Sequence, residues 1–137
     1  MQRIISANNK KIITIDDCED FGFLIINYKG KWVDTLFSRE NLDIILKHNW
    51  SIWKKKWTGR IKNNFFKGGE WYYVASRIEG KTKYLHHFIT EYVSYNNLVV
   101  DHINRNSLDN RRENLRIVSR KENVLNSDKL YNRRSKK

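Results

Sequence analysis

The 137-residue sequence contains no proline and a single cysteine. Without proline there is no stiff spacer to hold two domains apart, so the chain reads as one compact domain or two very small ones. With Cys18 alone, no disulfide can close within the chain and no cysteine-based zinc ribbon can form. No apolar run reaches the length that crosses a bilayer, and the first residues lack the apolar stretch of a secretory leader. The host-cell cytosol is therefore the expected location. Acidic residues are also scarce: 15 against 27 Lys and Arg, a formal net charge of +12 and a pI near 9.9. That excess points to a polyanionic partner, nucleic acid first. What is present is enough for a modest core, with 39% hydrophobic residues, 13% aromatic residues and five Trp.

The most informative stretch runs from Val99 to Asn123. An apolar run, 98–100, ends in Asp101-His102. An Asn-rich polar loop follows, then a second β-prone run, 115–118. Ser119 and Glu122 then have the Ser-x-x-Glu spacing that starts a helix. Asp101 offers a hard oxygen ligand and the amide oxygen of Asn123 a second, which leaves most of the shell of a Mg²⁺-like ion to water and phosphate oxygens. His102 at the strand end can take a proton from water, since an imidazole titrates near neutrality. Its other ring nitrogen needs an orienting acceptor, for which the Asn114 side chain is a candidate; Asn114 can equally close the loop backbone. The side chains of Asn104, Asn106 and Asn110 are expected to close turns.

These residues resemble the HNH endonuclease family with its ββα-metal core, in particular the small phage and intron-encoded homing type. The resemblance is carried by Asp101-His102, Asn-Arg-Asn at 104–106, Leu108 to Arg112, Asn114-Leu115-Arg116 and Asn123. Upstream, Tyr84-Leu85-His86-His87-Phe88-Ile89 is similar to the family's first-histidine segment. The resemblance implies Asp101 and Asn123 as metal ligands, His102 as general base and Asn114 as the residue that holds the base. It places His86 at the site edge, against a phosphate or a ligand-bearing residue. It also implies one divalent cation, Mg²⁺ with Mn²⁺ able to substitute; the Cys₄ zinc that staples the core in some relatives is not expected here, because the chain has one cysteine. The chain departs from the family's pattern at Arg105, where glycine is common in the turn, and at His87, where arginine usually follows the first histidine.

The expected fold class is α+β. A β-rich antiparallel N-terminal region with a short helix, 1–83, precedes the nuclease core, 84–128, and a basic, flexible tail, 129–137. Strands are expected at 11–15, 21–28, 32–37, around 50–53, at 71–78 and from 83, with hairpin turns at Lys29-Gly30-Lys31 and Glu79-Gly80-Lys81. Ser38 is expected to cap a helix to about Asn49, and the spacing of Phe88, Ile89, Tyr92 and Val93 predicts a helix over 86–95. The acidic run 16–20 reads as a solvated turn. The layout from Leu42 to Ile89 is more loosely similar to a segment compared with the AP2 fold, a three-stranded sheet that lies against DNA. Trp50, Trp53, Trp57 and Trp71 are candidate groove or base contacts; a place in the core is the stronger expectation for Trp50 and Trp71, and Trp57 is the one expected against DNA. Arg105, Arg111, Arg112 and Arg116 around the loop, and Arg133 and Arg134 in the tail, are candidate phosphate contacts, although some of the loop arginines are expected to pair with Asp109 or Glu113. The function so implied is metal-dependent hydrolysis of duplex DNA, by a monomer or a homodimer. The alternative is a module that binds nucleic acid through the same basic surface without cutting it.

Overall fold

The computed structural model describes residues 2–56, 70–92 and 98–122. Strands β1 (Gln2–Ala7), β2 (Lys11–Asp16), β3 (Phe21–Tyr28) and β4 (Lys31–Ser38) form an antiparallel meander. Alternation explains which face is buried: Gly22, Leu24 and Ile26 of β3 turn inward while their neighbours are half-buried. Gly22 is required there, because a Cβ would lie 2.6 Å from the Thr14 carbonyl oxygen and 2.7 Å from the Phe37 ring. The β3–β4 turn places Lys29 at φ 52° and Gly30 at φ 85°. Positive φ at both central residues matches the right-handed twist of the flanking strands.

The acidic run between β2 and β3 is a turn tied down by side chains. Asp16 accepts the Cys18 N–H at 2.9 Å, and Asp17 pairs with Arg3 at 2.6 Å and Arg39 at 3.2 Å. After β4 come a 3₁₀ turn, Arg39–Asn41, and helix α1 (Leu42–Lys47). Ser38 does not cap them with its side chain. Its hydroxyl accepts the backbone N–H of Arg112 at 2.6 Å instead, which ties the C-terminal loop to the end of β4.

A second sheet contains β5 (Ser51–Lys56), β6 (Glu70–Ile78) and β7 (Lys81–Tyr84), with a turn at Glu79 and Gly80 like the first. One interior joins the two sheets and the helices: Ile13, Leu24, Phe37, Ile45, Trp50, Ile52, Val74 and Leu85 pack together. Trp50 is fully buried, and its indole N–H donates to the Ile44 carbonyl at 3.0 Å. Trp71, expected beside it, is 37% exposed. It pairs across the strands with Lys55 on the face turned away from Ile52 and Val74, so the register, not its bulk, decides its place.

Helix α2 (Leu85–Ile89) is shorter than the side-chain spacing predicts; Glu91 at φ 54° ends the turn. Strands β8 (Leu98–His102) and β10 (Leu115–Ser119) pair antiparallel. Between them β9 (Asp109–Asn110) adds to the first sheet, parallel to β4, with Leu36 opposite Asp109 and Phe37 opposite Asn110. Residues 120–122 are helical, and the Glu122 N–H donates to Ser119 Oγ at 3.1 Å, the capping contact the sequence predicts. Among the described residues no helix is long and apolar enough to cross a membrane.

Candidate active site

Four side chains converge where β8 ends. Asp101 and His102 are both buried, at 7% and 8% exposure. In the β8–β10 register Asp101 faces Arg116, whose Nε donates to Asp101 Oδ2 at 3.0 Å. His102 Nε2 lies 3.0 Å from Asn110 Oδ1. With that amide oxygen as acceptor, Nε2 carries the proton and Nδ1 carries the lone pair. Asn110 is itself buried on β9, so the first sheet sets the angle of the imidazole.

Of the two roles expected of Asn114, its side chain takes the one that closes the loop. Its Oδ1 accepts the Asn104 N–H at 3.0 Å, and its Nδ2 donates to Asn104 Oδ1 and to the Asp109 carbonyl, each at 2.9 Å. The Asn114 carbonyl accepts the Ile103 N–H at 2.8 Å. Residues 103–114 therefore form a polar clamp rather than an apolar one. Asn104 and Asn106 close it further by accepting the N–H groups of Asn106 and Leu108. Arg105 sits in this turn at φ 64°, a conformation in which glycine carries no penalty and arginine does.

His86 and His87 come from α2. The His86 ring centroid is 4.8 Å from that of His102 and 5.5 Å from each of Tyr73 and Tyr84. His87 lies beside His86, with ring centroids 4.3 Å apart. Burial, reinforced by His87, His102 and Lys55, pushes His86 down to about 2. Burial with Lys55 and His102 pushes His87 down to about 4. His102 is lowered by burial as well, against the opposing pull of Asn110, Asp101 and Asp109. All three rings are thus neutral at neutral pH, which suits a base and removes His86 and His87 as cationic phosphate clamps. His86 Nδ1 is buried without a hydrogen-bond partner among the described residues.

The arginines divide. Arg111 forks onto Asp109, with Nε and a terminal nitrogen each 2.8 Å from a carboxylate oxygen, reaches Glu113 at 3.2 Å, and lies over the Phe21 ring. Arg111 is a loop brace, one of the loop arginines that pair with Asp109 or Glu113 as expected, while Arg116 is exposed and engages Asp101. Arg112 is exposed and touches the Leu115 carbonyl only weakly, at 3.4 Å. Arg105 is exposed and makes no side-chain bond among the described residues. Asn123, Trp57, Arg133 and Arg134 lie outside the described residues.

No cluster of three or more His, Cys, Asp or Glu able to hold a metal occurs among the described residues. Asp101 supplies one buried carboxylate, and a cation there has to compete with Arg116 for Oδ2. That donor set fits a hard ion that keeps most of its shell as water and phosphate oxygen. Sequence reasoning missed Asn110 as the partner of His102, and it missed Tyr73, Tyr84 and His87 around the rings. Only the β6–β7 register and the parallel β4–β9 pairing reveal them.

No curated protein and no solved structure matches the chain. Residues 83–125 do match a family model, that of HNH endonuclease, and with this match the segment carrying Asp101 and His102 is similar to a nuclease that acts on nucleic acid.

Proposed function

We propose that the protein is a metal-dependent endonuclease that hydrolyses phosphodiester bonds of duplex DNA, in the manner of the homing-type enzymes its C-terminal segment resembles. The observation that carries this reading is the His102 imidazole, with Nε2 3.0 Å from Asn110 Oδ1 and Asp101 next to it in the chain, in a buried setting that favours the uncharged ring. His102 Nδ1 accepts the proton of the attacking water, and Asn110 keeps that nitrogen unprotonated beforehand. Asp101, together with Asn123, would hold the divalent cation, which when bound offsets charge on the phosphate and on the departing 3′ oxygen. Arg116, which pairs with Asp101 Oδ2, would be available to the phosphate with a cation on that carboxylate. His86, neutral and with an unused ring nitrogen, borders the phosphate as a hydrogen-bonding group. Arg105 and Arg112 bind flanking phosphates.

The test is nicking of supercoiled plasmid. Mg²⁺ or Mn²⁺ should support it and EDTA should stop it. His102→Ala should lower the rate by about 10²–10⁴-fold, the range for loss of a general base, while DNA affinity stays near that of the unaltered protein. Undiminished nicking by that variant removes His102 from the role. The Arg116–Asp101 ion pair favours a second reading, a module that binds nucleic acid and leaves it intact because the ligand carboxylate is already neutralised. Absence of metal-dependent nicking, together with salt-sensitive DNA binding, would select it.

A further inference from the structure

The β5–β6–β7 sheet has two unlike faces. The inward one, with Ile52 and Val74, belongs to the core. The cross-strand pairs Trp53–Tyr73, Lys55–Trp71 and Ala75–Tyr84 put Trp53, Lys55, Trp71, Tyr73, Arg77 and Tyr84 on the other. Trp53 and Trp71 are each 37% exposed, and Lys55 and Arg77 are exposed too. None of the described strand residues on this face is acidic. Trp53 and Trp71 occupy diagonal positions across β5 and β6, a spacing of about 7–8 Å between such residues on a sheet.

This strip runs into the candidate active site. The Lys55 ammonium lies 5.5 Å from the Tyr84 ring centroid. Tyr84 and Tyr73 each lie 5.5 Å from the His86 ring, and Tyr73 lies 6.5 Å from the His102 ring. Trp53 pairs across the strands with Tyr73, so the exposed indoles share one face with the rings that border the proposed base.

We propose that this face is the track for one strand of the substrate, and that the nucleobases beside the scissile phosphate leave the duplex stack and lie on Trp53 and Trp71. The inference rests on the nuclease reading of the site. Charge complementarity selects the occupant: a surface of indoles and cations without carboxylates matches a polyanion whose bases offer apolar faces. Unstacking those bases costs energy, which ring stacking and the Lys55 and Arg77 contacts offset.

The experiment compares two labelled probes, an oligothymidylate and a sugar-phosphate backbone of equal length and charge that lacks bases. Binding of the full-length protein is measured without metal, so no cleavage intervenes. The unaltered protein should bind the oligothymidylate at least about tenfold more tightly than the baseless polymer, as stacking on one ring alone can provide. Trp53→Ala/Trp71→Ala should lose that preference and keep its affinity for the baseless polymer, and Trp53→Phe/Trp71→Phe should recover most of it. Equal affinity of the unaltered protein for both probes, or a preference that survives in the alanine variant, overturns the proposal. Plasmid nicking judges the other reading separately. A protein that nicks but shows no base preference loses the track and keeps the nuclease. One that shows base preference but never nicks keeps the track as a binding surface and loses the nuclease.

Discussion

Between β2 and α2 the interior is largely aliphatic and aromatic, whereas between β8 and β10 it is largely imidazole, carboxylate and amide. The first region buries Ile13, Leu24, Phe37, Trp50 and Val74. The second buries Asp101, His102, Asp109, Asn110 and Asn114, with Leu115 and Val118 as its apolar share. An apolar interior stabilises through area removed from water and tolerates small shifts. A buried polar network stabilises only while each donor meets its acceptor, and it fixes orientation in return. The candidate site sits in the second kind of interior, and the first kind supports it through β4 and β9.

The largest break in this comparison should come from the apolar side. Trp50→Ala removes a fully buried indole and its bond to the Ile44 carbonyl, and should cost about 3–5 kcal/mol in denaturant unfolding. A loss under about 1 kcal/mol would mean that this interior is not what holds the sheets together.

Asn114→Ala tests the polar side. It leaves the Asn104 N–H and the Asp109 carbonyl without their side-chain partners, at an expected cost of about 1–3 kcal/mol. The loss should be local. Amide exchange should accelerate over 103–110 and stay unchanged in β2 and β3. Uniform acceleration across the chain would show that the two regions open as one.

These differences decide what was legible in the sequence. The Lys29-Gly30 and Glu79-Gly80 turns were, because positive φ demands glycine and alternating strands flank them. Strands β2 to β8 and β10 followed from β-branched and alternating runs, and Asp101-His102 from its place at a strand end. Strand β9 was not, since two residues show no period and their pairing with β4 spans over seventy positions. For the same reason local sequence makes Asn110 a turn residue and Ser38 a helix cap, while their partners are His102 and Arg112. Trp71 is 37% exposed because the β5–β6 register puts it on the face away from the core. Periodicity reports which face an element buries, while polar partners that meet across long separations leave no periodic trace.

Acid separates the regions more gently. His86 and His87 are neutral when folded, pushed by burial to about 2 and about 4. In the unfolded chain they gain protons below about 6.5. Stability present above that value should therefore fall as pH drops toward 4. Asp109 acts in the same direction at lower pH. Burial alone would raise it, but the Arg111 fork and the Asn104 amide hold it below the ordinary carboxylate value, so its contribution is lost as pH falls through that value. Thermal melts without metal should show a midpoint that declines from neutrality to about pH 4. A flat midpoint over that range would mean that protons reach the rings in the folded protein.

The smallest effect on stability is expected at Arg105, and it separates function from folding most cleanly. Its φ of 64° is costly for a residue with a Cβ, by roughly 1–2 kcal/mol. Glycine would relieve that cost but add freedom to the unfolded chain worth about 0.5–1 kcal/mol. Arg105→Gly should then shift unfolding by no more than about 1 kcal/mol, toward greater stability. Its binding should change more. Losing one phosphate contact should reduce the slope of log affinity against log salt by about 1. A variant with an unchanged salt slope would mean that the arginine stands in a strained turn for a reason other than the backbone of the nucleic acid.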